Sequence, residues 1–212
     1  MLSEVAGIRI DLPVNVLSEN PPWLALLIKR AIAGDTLAFD QIMIHSQQKV
    51  MALSWRMLGN DADARDASQE VFLRVYKYLG RFKQDQDFFA WLYRITVNVC
   101  HDIARKRQHH SGEFTTDMES VGTVEVSADQ KGADDALIAG QQRQLIASAM
   151  AMLPTKERAA ILLRDVEGLP TEEVARILKS SSTTVRSQIS SARRKIKLHC
   201  ERYLRTKGAV RP

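Results

Sequence analysis

A chain of 212 residues, 45% hydrophobic and 26% charged, can bury the cores of two small domains, which excludes a disordered polymer. No apolar run approaches the ~20 residues that cross a bilayer, and Cys100 and Cys200 stand far apart with no Cys or His neighbour at metal spacing. The expectation is a cytoplasmic protein with reduced thiols, no membrane insertion, no metal and no cofactor, whose net charge of +5 points only weakly to a polyanion.

Residues 1–22 carry Pro13, Pro21 and Pro22, which interrupt any helix, and read as an extended or loosely docked arm. Helical spacing begins at Trp23. Gly34-Asp35-Thr36 reads as a stop followed by an N-cap, after which Phe39, Ile42, Met43, Val50, Leu53, Trp55 and Met57 recur as in a helix. Gly59-Asn60-Asp61 ends that helix and caps a third, from about Asp61 to Gly80, with an apolar stripe of Val71, Phe72, Val75, Tyr76 and Leu79. A fourth helix, from about Asp87 to Gln108, carries Phe88, Trp91, Leu92, Ile95 and Val99 and ends in Arg105-Lys106-Arg107.

From His109 the composition shifts to Ser, Thr, Gly, Asp and Glu, the mark of a linker. Glu113 to Asp135 holds seven acids against Lys131, a net of −6 that DNA would repel. Helical pattern returns with Leu137, Ile138, Leu145, Ile146, Ala149 and Met152, stops at Pro154, and resumes through Ala160, Ile161, Leu162 and Val166 to Gly168. The sum is an all-α fold of two helical modules, 23–108 and 137–207, joined by a flexible acidic linker at 109–136.

Thr171 to Lys197 fits a helix-turn-helix. Counting from Thr171, the small residue Ala175 falls at position five, where the second helix crosses, and the anchors Val185 and Ile189 fall at fifteen and nineteen. Val185, Ile189, Ala192 and Ile196 face inward, which turns Arg186, Ser187, Gln188, Ser190, Arg193 and Arg194 outward. Hydroxyls and amides read base edges in a major groove while cations hold phosphate, and Lys179 to Lys207 carries nine cations against Glu201. Position nine, often Gly because its backbone favours positive φ, is Lys179. In the third helix the stripe of Asp66, Gln69, Glu70 and Arg74 reads first as a solvated face and only second as a docking surface. In the fourth, Trp91 beside Arg94, Asn98 and the basic end has the makings of a single-strand grip, although a lone Trp is more often core.

Four ordered blocks carry a resemblance: "DARDASQEVFLRVYKYLGRF", "FFAWLYRITVNVCHDIARKR", "LPTKERAAILLRDVEGLPTEEVARIL" and "TVRSQISSARRKIK". Over about residues 24–204 the chain resembles the extracytoplasmic-function sigma factors, which retain regions two and four of the sigma-70 family. The resemblance implies a non-enzymatic initiation factor that binds core RNA polymerase through the β′ coiled coil and the β flap, binds promoter DNA, answers a stress or extracytoplasmic signal and is held by an anti-sigma factor. It places core binding on Asp66, Gln69, Glu70 and Arg74. Minus-ten melting and recognition fall on the Phe82 to Phe89 loop with Phe88, Trp91, Arg94, Asn98, Arg105, Lys106 and Arg107. Minus-thirty-five recognition falls on Thr184, Arg186, Ser187, Gln188, Ser191, Arg193 and Arg194. It further implies that the acidic linker runs through a basic channel of the polymerase toward the RNA exit path. Thr183 and Gln188 depart from the usual form of the recognition helix, so promoter sequence cannot be copied from relatives. A stand-alone helix-turn-helix regulator accounts for the C-terminal segment but not for "SQEVFLR" and "AWLYRITVN". A DNA-acting enzyme such as a recombinase requires a nucleophile or carboxylate cluster that the sequence does not display.

Overall fold

The computed structural model describes residues 4–5, 8–9, 20–83, 85–110 and 145–208. Within the arm, β1 (Glu4–Val5) pairs antiparallel with β2 (Ile8–Arg9), Glu4 opposite Arg9 and Val5 opposite Ile8. The acidic stretch from Glu113 to Asp135 and the apolar pair Leu137 and Ile138 lie outside the described residues.

In the first module three of the four helices start where a side chain meets an orphan amide. α1 (Pro22–Ile32) opens on proline, whose missing N–H costs nothing in a first turn. At the head of α2 (Thr36–Leu58), Asp35 accepts from the Ala38 amide at 3.1 Å, and the helix closes on Gly59 at φ +79°, the left-handed cap that glycine takes without strain. Asn60 caps α3 (Asp61–Tyr78) through the Asp63 amide at 2.8 Å, with Asp61 and Asp63 in the first turn complementing the helix dipole. A 3-10 turn, Leu79–Arg81, leads through a loop to α4 (Phe88–His110), whose Ala90 amide donates to Asp87 at 2.7 Å. Leu24, Ile28, Ile42, Val50, Leu53, Val71, Val75, Phe88 and Leu92 fill the centre. The stripe expected on α3 holds at Val71, Val75 and Leu79 but not at Tyr76, which is 64% exposed and forms a T-shaped pair with Phe39, ring centres 5.1 Å apart. Five residues along a helix is a rotation of about 140° from Val71, beyond the arc a neighbouring helix covers.

The second module contains α5 (145–151), α6 (Thr155–Ile161) running into a wide π turn at Leu162–Val166, α7 (Thr171–Ile177) and α8 (Ser182–Gly208). Pro154 and Pro170 sit immediately before α6 and α7, which is where proline stops one helix and permits the next.

The two modules pack together, α4 against α7 and α2 against α6. Tyr93, fully buried, donates its hydroxyl to Glu167 at 2.5 Å, and Arg56 stands 3.6 Å from the other carboxylate oxygen. Arg158 crosses the same seam, donating to the Met57 carbonyl at 2.7 Å and, within its own module, to the carbonyls of Ala151 and Leu153.

Candidate nucleic-acid interface

Three surfaces collect the residues that the sequence singles out. On α3, Asp66 and Gln69 are exposed, whereas Glu70 and Arg74 are half-buried and spoken for. Arg74 donates to Glu70 at 2.6 Å and to Asp102 of α4 at 3.3 Å, and Asp102 also takes Arg105 at 3.3 Å. The hydrogen bond to Glu70 raises the Arg74 pKa above its usual value, so this chain of charges clamps α3 to α4. Leu73, 66% exposed and outside the apolar stripe, shares the face of Asp66 and Gln69 at i, i+3 and i+7. A large apolar side chain flanked by free polar groups is what a protein partner covers.

Along α4, Arg94, Asn98, Arg105, Lys106 and Arg107 are exposed, and Arg94, Asn98 and Arg105 lie one and three turns apart on one face. Phe88 and Trp91 are not part of it. Phe88 is fully buried and Trp91 only 9% exposed, its ring 5.2 Å from Phe82 and 5.9 Å from Phe88. Phe82, Phe88 and Trp91 pack as one buried aromatic cluster, which removes a large apolar area from water and forms the floor beneath the start of α4. The exposed loop residues above this floor include Lys83, Asp85 and Gln86.

In the helix-turn-helix, Val174, Ala175, Val185, Ile189, Ala192 and Ile196 are buried in keeping with the spacing. Lys179 takes φ +50° at the turn, the left-handed conformation that the motif asks of that position. Ser181 accepts from the Thr184 amide at 3.1 Å and shares a hydrogen bond with its hydroxyl at 2.8 Å, capping α8. Thr184, Arg186, Ser187, Ser190 and Arg194 are exposed, and Arg186 reaches Glu172 at 3.3 Å.

Other expected readers are half-buried. Arg193 makes a two-point contact with Asp165 at 2.9 and 2.6 Å, against a carboxylate only 7% exposed, and that contact raises its pKa. Ser191 donates to Glu157 at 3.2 Å, and Lys195 pairs with the same carboxylate at 2.9 Å. Gln188 is half-buried, its Oε1 enclosed without a hydrogen-bond partner among the described residues. Spacing alone turns Arg193 outward, but the arginine stem is long enough to fold back to an acid in the π turn after α6.

Cys100 and Cys200 are buried free thiols, and burial pushes Cys100 up to about 12. Among the described residues no cluster of three or more His, Cys, Asp or Glu could hold a metal ion, and no helix is long and apolar enough to cross a membrane.

Residues 43–110 match the family Sigma-70 region 2, and residues 143–196 match Sigma-70, region 4. The chain is 32% identical over 173 residues to the RNA polymerase sigma-H factor of Pseudomonas aeruginosa, covering 80% of this chain and 90% of that protein. It is 32% identical over 177 residues to the ECF RNA polymerase sigma-E factor of Escherichia coli K12, covering 81% and 91%. In fold it is similar to the sigma factor RpoE of Bartonella quintana, solved with the anti-sigma factor NepR, at TM-score 0.63 and 22% identity over 77% of this chain and 96% of that one. It is likewise similar to CnrH, solved with the cytosolic domain of CnrY, at TM-score 0.61 and 24% identity over 84% and 97%. One matched region overlaps each helical module, and the matched relatives are covered over 90% and 91% of their length, so the chain belongs to the sigma-70 family as an extracytoplasmic-function sigma factor.

Proposed function

We propose that this sigma factor divides promoter recognition between its modules, residues 23–108 docking on core RNA polymerase and opening the minus-ten element, residues 137–207 reading the minus-thirty-five duplex. The observation that carries the reading is the pairing in one chain of a helix-turn-helix with an exposed hydroxyl and arginine face and, on α3, a free face of Asp66, Gln69 and Leu73. A duplex-binding module alone has no use for the second surface.

On α4 the minus-ten contacts fall to Arg94, Asn98 and Arg105 to Arg107, with the 82–89 loop supplying the rim. On α8 the minus-thirty-five contacts fall to Thr184, Arg186, Ser187 and Arg194. Cations hold phosphate and fix register, while hydroxyls and amides discriminate bases. The β′ coiled coil is the partner of the α3 face and the β flap that of the second module. The acidic linker between them takes a basic path through the polymerase. The matched structures of RpoE and CnrH are both complexes, one with an anti-sigma factor, and an anti-sigma factor is the proposed regulator here, released by a stress or extracytoplasmic signal. The factor performs no chemistry itself; the polymerase does.

Run-off transcription with core polymerase tests the whole reading. The protein should direct initiation from a subset of genomic promoters, and Gln69→Lys should weaken co-purification with core while leaving the helical signal intact. Tight sequence-specific duplex binding without polymerase, together with no promoter-directed transcript, would instead identify a stand-alone regulator.

A further inference from the structure

Asn20 lies just ahead of α1, far in sequence from the loop between α3 and α4, yet its side chain grips that loop at two points. Its Nδ2 donates to the Gln86 carbonyl at 2.8 Å, and its Oδ1 accepts from the Phe88 amide at 2.8 Å. The amide therefore brackets Asp87 using both of its ends. The neighbouring residue is fixed to α1 in turn: the Leu24 and Ala25 amides donate to the Pro21 carbonyl, and Leu24, Leu27 and Ile28 anchor the helix in the core. A recess of about 210 Å³ lined by Asn20, Ala25, Ile28, Lys29 and Phe82 lies beside this tie.

We infer that Asn20 is a positioning residue for promoter opening: it sets the backbone from Gln86 to Phe88, at the loop that on the reading above presents the minus-ten strand. A hydrogen-bonding side chain that only capped α4 would need the Phe88 amide alone, and Asp87 already caps that helix through Ala90. The second contact, to the Gln86 carbonyl, lies on the loop side of Asp87, and the Gln86 amide in turn closes a turn onto the Lys83 carbonyl at 3.0 Å. Fixing that carbonyl fixes where the exposed side chains of Lys83, Asp85 and Gln86 stand relative to Arg94 on α4. The same tie makes the loop's geometry depend on α1, so the segment leading into α1 acquires a hold on the minus-ten surface without touching DNA.

Asn20→Asp is the informative variant. It keeps an acceptor for the Phe88 amide but turns an oxygen toward the Gln86 carbonyl, releasing the loop while leaving α4 capped. With holoenzyme, Asn20→Asp and Asn20→Ala should broaden base preference in a promoter library randomised at the minus-ten element. Open-complex formation, followed by permanganate reactivity of unpaired thymines, should slow about tenfold, the equivalent of one to two lost hydrogen bonds. Minus-thirty-five preference and core affinity should stay at wild-type values, which a merely structural role would not spare. Unchanged minus-ten preference in both variants, where Gln86→Ala or Lys83→Ala alters it, overturns the inference and leaves the site reading standing. If none of the four variants alters that preference, the site reading falls and the inference with it. An equal loss of core affinity in the Asn20 variants also overturns it, since that marks a damaged module.

Discussion

At Lys179 a side chain occupies the left-handed backbone region, φ +50°, with the flanking turn already committed by buried Ala175 and Val185. An L-residue there costs about 1 kcal/mol or more, partly offset by the extra freedom glycine has when unfolded. Lys179→Gly is therefore expected to stabilise the second module by about 0.5–1 kcal/mol, read as a higher urea midpoint at unchanged slope; a lower midpoint would mean that the lysine stem contributes more by packing than the backbone loses. His101 offers a residue-scale test of the seam. Burial lowers its pKa, the Lys156 ammonium from the other module acts in the same direction, and the Asp102 carboxylate opposes both. A group depressed below its unfolded value of 6.5 is neutral in the fold, so stability is complete above that pH. As pH falls below it the unfolded chain takes up a proton that the folded chain resists, and stability declines. Denaturation midpoints should drop between pH 7.5 and 5.5, and His101→Gln should flatten that slope.

The recognition helix shows how an element can carry its cations to different ends. Arg194 is exposed, while Arg193 is bound at two points to Asp165. Arg194→Ala is expected to weaken promoter binding for all sequences alike and to reduce the salt dependence by about one phosphate contact. Arg193→Ala should leave that dependence unchanged and lower the stability of the fold by about 2 kcal/mol, because it strands a nearly buried carboxylate. Salt titration of holoenzyme on promoter DNA, beside urea denaturation of the free protein, separates the two; a reduced salt slope for Arg193→Ala would show that the arginine leaves Asp165 on binding. The spacing of apolar residues made this helix legible, down to Val185, Ile189, Ala192 and Ile196. It left unresolved which outward residues are free, since that depends on acids contributed by α6 and the π turn.

Across the whole molecule the packed modules present a geometric constraint. On the proposed function the two promoter elements lie about 25 base pairs apart, on the order of 85 Å of duplex, whereas a packed chain of this length has a radius of gyration of about 17 Å. The modules must part for both elements to be held together. Glu167 is the polar centre of the seam, 6% exposed between Tyr93 and Arg56. Glu167→Gln removes the charge that faces Arg56 and weakens the hydrogen bond from Tyr93, so it is expected to favour separation. Dyes on α1 and the C-terminal end of α8 should report lower energy transfer in Glu167→Gln than in wild type, without loss of helical signal. Equal transfer would show that apolar contact between α4 and α7 holds the modules by itself.

By itself the sequence determined the helices, their caps and the helix-turn-helix, because these depend on residues near in sequence: Asp35, Asn60 and Gly59 act on their own turns, and Ala175 and Val185 on the joint between α7 and α8. Only the tertiary structure decided that Phe88 and Trp91 are floor, that Arg193 is tied to Asp165, that Asn20 holds the 82–89 loop, and that Glu167 joins the modules. Each of those outcomes rests on partners contributed by other helices or by distant segments. A polar or aromatic side chain carries the same chemistry whether it meets solvent or a neighbour, so its local pattern does not distinguish the two; the energy of burial, which does, is defined only when the other surface has arrived.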